Sequence, residues 1–181
     1  MERSNFFMKK TLLLIGVIFT IYYFIGIKAE EILKIPDEAI RFRVIANSNS
    51  EYDQKVKYEV KDEIQNHMLT ILQNVDSIDV SRSVIAANLS TINTKIAQVL
   101  EREKYEIPYN VNFGLNYFPA KEYKGIIYDE GYYDSLVITL GSGQGDNWWC
   151  ILFPPLCLLE AEDGVEAEYT SFVKEILDKY V

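Results

Sequence analysis

The sequence predicts an α+β fold. It should be a single domain with a mixed, mostly antiparallel sheet of about four strands, two long helices and a C-terminal helix, in the order β-α-α-β-β-β-α. An N-terminal membrane or signal helix precedes it. Three observations predict this. Apolar residues switch from a period of two to a period of 3.6 and back along the chain. The helical stretches alternate only partly with the strands, so the sheet is not the parallel sheet of an α/β protein. An uncharged apolar run stands apart at the N-terminus, from Thr11 to Ile27.

That run follows Arg3, Lys9 and Lys10. Its length lies near the lower end of the roughly 17–25 residues that span a bilayer. The basic flank should stay in the cytoplasm and the body should be exported. The segment is either a signal anchor or a signal peptide cut after Ala29, with Ile27 at the −3 position. The chain therefore divides into a signal or anchor helix at 1–29, a connector at 30–37 and a domain at 38–181.

In the domain, Ile40–Ala46 reads as a strand that alternates apolar and basic residues and then turns fully apolar. Asn47-Ser-Asn-Ser50 offers N-caps, with Glu51 and Asp53 in the first helical turn. From Glu51 to Gln73, Val56, Val60, Ile64, Met68, Ile71 and Leu72 form one stripe. Lys55, Lys57, Glu59, Asp62 and Glu63 form the opposite, solvated face. A second helix runs over 80–104 on Ile85, Leu89, Ile92, Ile96, Val99 and Leu100. Pro108 closes it. Asn110–Phe118 alternates strictly, with Val111, Phe113, Leu115 and Tyr117 on the buried face. Pro119 and Gly125 bound a loop. Tyr133–Leu140 and Trp148–Phe153 are strands, the last stopped by Pro154-Pro155. The acidic Glu160–Glu168 run is a solvated segment. It leads to a helix with the stripe Phe172, Ile176 and Tyr180, flanked by Val173 and Leu177.

Charge narrows the function. The 181-residue chain is 49% hydrophobic and 25% charged, with a net charge of -9. The basic residues near the N-terminus leave the rest more acidic still. Such a body has no electrostatic footprint for nucleic acid. Gly141-Ser-Gly-Gln-Gly145 suggests a phosphate cradle, but a dinucleotide site needs a helix after the glycines. Here Trp148-Trp-Cys-Ile-Leu-Phe153 follows, so the stretch reads as a loop between antiparallel strands.

Cys150 would need a histidine base to act as a nucleophile. The only histidine is His67, on the first long helix. One histidine and two cysteines make no zinc site, and no cofactor motif is present. Cys150 and Cys157 either form a bridge, which export permits, or remain two buried thiols. Tyr117, Tyr123, Tyr128, Tyr132 and Tyr133 either face a partner or fill the strand core and edge. No carboxylate pair stands out as an acid/base couple. The residues lean towards recognition rather than catalysis.

Ile40-Arg-Phe-Arg-Val-Ile-Ala-Asn-Ser-Asn-Ser-Glu-Tyr-Asp-Gln54 resembles the opening of the stage II sporulation protein R family. Tyr117-Phe-Pro-Ala-Lys-Glu-Tyr123, Gly131-Tyr-Tyr and the Gly141–Cys157 string resemble its second half. The likeness spans about residues 38–158 and departs at Arg43 and Asp146. It implies a non-enzymatic signal of endospore formation, made in the forespore and exported to the septal intermembrane space. There it would activate a membrane-embedded aspartic protease that processes the sigma-E precursor in the mother cell. On this reading Gly141, Gly143, Gly145, Asn147, Trp148 and Trp149 would meet the protease, unless the tryptophans are core. The rival is an exported cell-envelope hydrolase using Cys150 or a carboxylate pair.

Overall fold

A computed structural model describes residues 13–20, 33–36, 38–123, 126–157 and 166–180. The chain forms two compact units, Met1–Ile32 and Leu33–Val181. In the first, residues 13–20 form an exposed helix, α1. The rest of the apolar run and the site after Ala29 lie outside the described residues. No described helix is long and apolar enough to cross a membrane.

The second unit is the α+β domain. Its elements run β1 (Leu33–Lys34), β2 (Ile40–Ile45), α2 (Glu51–Leu72), α3 (Ile78–Ala87) and α4 (Leu89–Arg102). Then come β3 (Tyr109–Phe118), β4 (Lys121–Tyr123), β5 (Ile126–Tyr128), β6 (Gly131–Leu140), β7 (Asn147–Phe153) and α5 (Glu166–Tyr180). The main sheet has the order β3-β6-β2-β7. β2 is parallel to β6 and antiparallel to β7, and β3 is antiparallel to β6. A small second sheet, β1-β5-β4, occupies parts of the expected connector and loop. Strands of two or three residues carry no readable period.

Ser50 caps α2, its hydroxyl accepting the Asp53 N–H. Val56, Val60, Ile64, Met68 and Leu72 are buried on one stripe, as their spacing requires. Lys57 was expected on the solvated face. It is instead buried, one turn after buried Asp53, because the 141–149 segment packs there. The expected helix at 80–104 is broken. Asn88 leaves helical geometry and its side-chain amide donates to the Val84 carbonyl, competing with the helix's own ladder. The apolar stripe continues across the break, so Ile85, Ile92, Ile96, Val99 and Leu100 still share the core.

That core lies between α2–α4 and one face of the main sheet, where Phe42, Val44, Leu136, Ile138, Leu140 and Trp148 point. Val111 and Phe113 join it, but Leu115 is 69% exposed and Tyr117 is also exposed. The alternation of β3 is as expected. Its helix cover ends around Asp134, which Arg82 of α3 holds at 2.6 Å. The opposite face carries Arg41, Phe118, Tyr133, Val137 and Trp149. On α5 the buried residues are Val173 and Leu177, with Ile176 beside them rather than at the centre. They pack with Ile35, Ala39, Ile151 and Leu156.

Candidate recognition site

β2 and β6 are parallel neighbours, so the loops that leave them emerge at the same end of the sheet. This brings Ala46–Ser50 against Gly141–Asp146. The Ser142 N–H donates to Asn47 Oδ1 at 2.9 Å, and its hydroxyl donates to the Asn47 carbonyl at 2.9 Å. The Gln144 N–H reaches the Asn47 carbonyl at 3.2 Å and the Gly145 N–H the Ala46 carbonyl at 2.9 Å. The Asp146 N–H donates to Asn49 Oδ1 at 2.6 Å. Two sequence stretches almost a hundred residues apart form one hydrogen-bonded unit.

The glycines serve this contact. Gly141 and Gly143 hold φ of 54° and 65°, which side-chain-bearing residues rarely adopt. At Gly145 the reason is proximity: a Cβ there would stand 2.3 Å from the Ser48 carbonyl oxygen.

Below the loops lies Asp53. Its carboxylate accepts from Asn47 Nδ2 at 3.0 Å, from the Ser48 hydroxyl at 2.5 Å and from the Tyr105 hydroxyl. The Ser48 hydroxyl, and after it that of Tyr105, hold the Asp53 carboxyl below its ordinary range. Burial, then Asp53 itself, pushes the Tyr105 phenol up to about 12. A carboxyl with a lowered folded-state pKa contributes stability above its unfolded value of about 3.9. That contribution is lost as pH falls through the lower, folded value. The raised phenol contributes below about pH 10, and its share is lost as pH rises towards 12. We therefore expect Asp53→Asn to lower stability at pH 7 by roughly 1–3 kcal/mol. It should also flatten the acid limb of a denaturation series below about pH 4. An unchanged acid limb would show that Asp53 is not the titrating group.

Beyond Asp146 the chain enters β7, and its two tryptophans point to opposite faces, as adjacent strand residues must. Trp148 is 8% exposed and meets the Phe42 ring edge-on at 5.5 Å, inside the main core. Trp149 is half-buried on the other face, 5.2 Å from the Phe118 ring. It lines a cavity of about 330 Å³ with Arg41, Tyr58, Phe118, Lys121, Tyr128 and Asn147 among its walls. The Arg41 guanidinium lies 3.3 Å from the centre of the Tyr133 ring, and the Lys121 ammonium 4.9 Å from that of Trp149. Arg43 sits between Phe118 and Trp149, and burial lowers its pKa.

The tyrosines divide. Tyr133 is buried, Tyr128 lines the cavity, and Tyr117 and Tyr132 pair edge-on at the exposed end of β3 and β6. The Tyr123 side chain lies outside the described residues.

Cys150 and Cys157 are joined by a disulfide, Cα to Cα 5.5 Å, which ties β7 to the turn after Pro154-Pro155. A bridged sulfur carries no thiolate, so the Cys150 nucleophile of the hydrolase reading has no basis. His67 is half-buried on α2, and burial lowers its pKa. Among the described residues no three His, Cys, Asp or Glu side chains converge as a metal site requires. Two features were not singled out in the sequence: the Asn47–Asp53–Tyr105 cluster and the cation-bearing cavity. The alternation of Arg41 and Arg43 with core residues in β2 was the available signal for the cavity.

Residues 36–163 match the family model for stage II sporulation protein R. The chain is similar to stage II sporulation protein R of Bacillus subtilis (strain 168), 36% identical over 167 residues. The match covers 87% of this chain and 75% of the relative. No solved structure matches.

Proposed function

This chain belongs to the stage II sporulation protein R family, and from that premise we propose that it is an exported signal of endospore formation that acts by binding. Its role is in sporulation at stage II. In the fuller reading it is made in the forespore and exported by way of the 11–27 segment. In the septal intermembrane space it binds a membrane-embedded aspartic protease, which then processes the sigma-E precursor in the mother cell. Binding must favour one state of the protease over another, since only differential affinity shifts a population.

The observation that carries the recognition reading is the locked pair of loops. They hold Asn147 and Trp149 in a fixed position beside a cavity lined by cations and aromatic rings. Such a preformed surface suits a partner, because it lowers the ordering cost of association. Of the residues expected to meet the protease, Trp148 belongs to the core and Gly141, Gly143 and Gly145 shape the loop. Trp148 also lines the cavity, but it is buried, and the half-buried Asn147 and Trp149 are the ones left to touch a partner.

The test is co-production of this protein, the protease and the sigma precursor in a non-sporulating bacterium. The precursor should shorten only when all three are present. Equal processing without this protein, or none with it, would overturn the reading.

A further inference from the structure

The disulfide has a role that the locked loops do not explain. Cys150 stands in the middle of β7, half-buried, on the wall of the cavity beside Trp149. Cys157 is 1% exposed and belongs to the main core.

The loop that the bridge closes also seats α5. Val173 and Leu177 pack with Ile151 and Leu156, and the Tyr180 ring meets the Phe153 ring edge-on at 5.4 Å. Ile151, Phe153 and Leu156 all lie between the two cysteines. The far end of the loop is tied to α2, where Gln65 Nε2 donates to the Cys157 carbonyl at 2.6 Å. Ile151 lines the cavity as Cys150 does. One short segment thus carries the docking of α5 and part of the cavity wall. The main core, in contrast, draws most of its side chains from β2, β6 and α2–α4, outside that segment.

We propose that the Cys150–Cys157 bridge is a redox latch for α5. With both thiols reduced, the 151–156 loop loosens and α5 leaves its seat, while the rest of the domain stays folded. Ile151 then loses its fixed place in the cavity wall. Forming the bridge docks α5 and completes that wall. The physical reason is entropy: a bridge removes conformations from the open loop, so the anchors of α5 are ordered at less cost. Without it, local opening needs less free energy than global unfolding, and α5 is the element that opens.

Closure is a two-electron oxidation by a disulfide-bearing donor, a protein or a small molecule. The Cys150 thiolate, the more reachable one, attacks one sulfur of the donor and expels the other as a thiolate. The Cys157 thiolate then attacks the Cys150 sulfur of the mixed disulfide and expels the second donor sulfur. The donor ends as two thiols, having gained two electrons and, through solvent, the two cysteine protons. Such donors prevail outside the cytoplasm and reductants within it, so the latch is open before export and closed after it.

The inference rests on the export reading only for where the latch closes. Its test contains neither protease nor precursor, so the two can fail separately.

Hydrogen exchange is followed by mass spectrometry on the full chain in a neutral detergent. Three forms are compared: oxidised, reduced with dithiothreitol, and the Cys150→Ser/Cys157→Ser variant. Residues 166–180 of α5 should exchange about tenfold faster, or more, in the reduced protein and in the variant. Residues 51–72 of α2 should keep the rate of the oxidised protein. Oxidised glutathione should restore slow exchange to the reduced protein and leave the variant fast. Equal exchange of α5 in all three forms would overturn the proposal. So would an equal acceleration of α2, which makes the bridge a staple of the whole domain, or a dithiothreitol effect of the same size on the variant. The dithiothreitol arm keeps the natural side chains, so it decides even where the variant fails to fold.

Discussion

Trp148→Ala should unfold the domain under conditions in which Trp149→Ala leaves it folded. The two residues are neighbours in sequence and alike in chemistry, so the difference comes from the faces of β7. Trp148 enters the core between the sheet and α2–α4, against Phe42 and near the Lys61 ammonium, 5.0 Å from the ring centre. Truncating a buried tryptophan costs roughly 3–5 kcal/mol. That is a large share of the roughly 5–15 kcal/mol that holds a domain folded. Trp149 lines an open cleft, where water can enter the space it leaves. Its removal should cost about 1–2 kcal/mol.

Urea denaturation of the full chain in detergent measures both. Equal losses would mean that the two faces are not distinguished as described. In the three-protein co-production experiment, Trp149→Ala protein should accumulate normally and fail to trigger processing. Trp148→Ala should fail through low abundance instead.

This contrast bears on what the sequence could reveal. A period of two says that adjacent strand residues diverge, so one tryptophan had to face each side. Whether the pair was core or surface had no single answer. The period does not say how far each face is covered. On β3 the alternation from Val111 to Tyr117 was legible, yet Leu115 is exposed because the helical layer ends before it. Lys57 was misplaced for a related reason. Its burial is imposed by Asp146, a residue distant in sequence, whose carbonyl accepts from the Lys57 ammonium at 3.3 Å.

α2 was legible nearly to the residue, since its cap, first-turn acids and stripe are all local. The break at Asn88 had a local cause that the uninterrupted apolar stripe concealed. The loop-to-loop contact could not be read, because it depends on β2 and β6 being parallel neighbours. Sequence order alone does not fix that pairing.

Gly145→Ala should be the most damaging of the three glycine substitutions in the loop. At Gly141 a Cβ would meet the Asn47 side chain, 2.3 Å from Oδ1, and at Gly143 the Thr139 Cγ2 methyl at 2.6 Å. Side chains can rotate or be truncated. At Gly145 the obstacles are main-chain atoms, the Ser48 carbonyl oxygen at 2.3 Å and its carbon at 2.6 Å. Relief there requires the two loops to separate. That breaks the Gly145 bond to Ala46 and strains those of Gln144 and Asp146 on either side.

The expected loss is roughly 3 kcal/mol or more. The amides of Ser142, Gln144 and Asp146 should also exchange faster with solvent. Truncation separates the two mechanisms. Asn47→Gly should recover part of the loss in Gly141→Ala by clearing the side chain, although the φ strain and the lost Asn47 bonds remain. No side-chain truncation at Ser48 should restore Gly145→Ala to the same degree, because the carbonyl stays in place. If Gly145→Ala melts with the wild type, the loops are not in the contact described. The fixed position of Asn147 and Trp149, on which the recognition surface depends, would then need another cause.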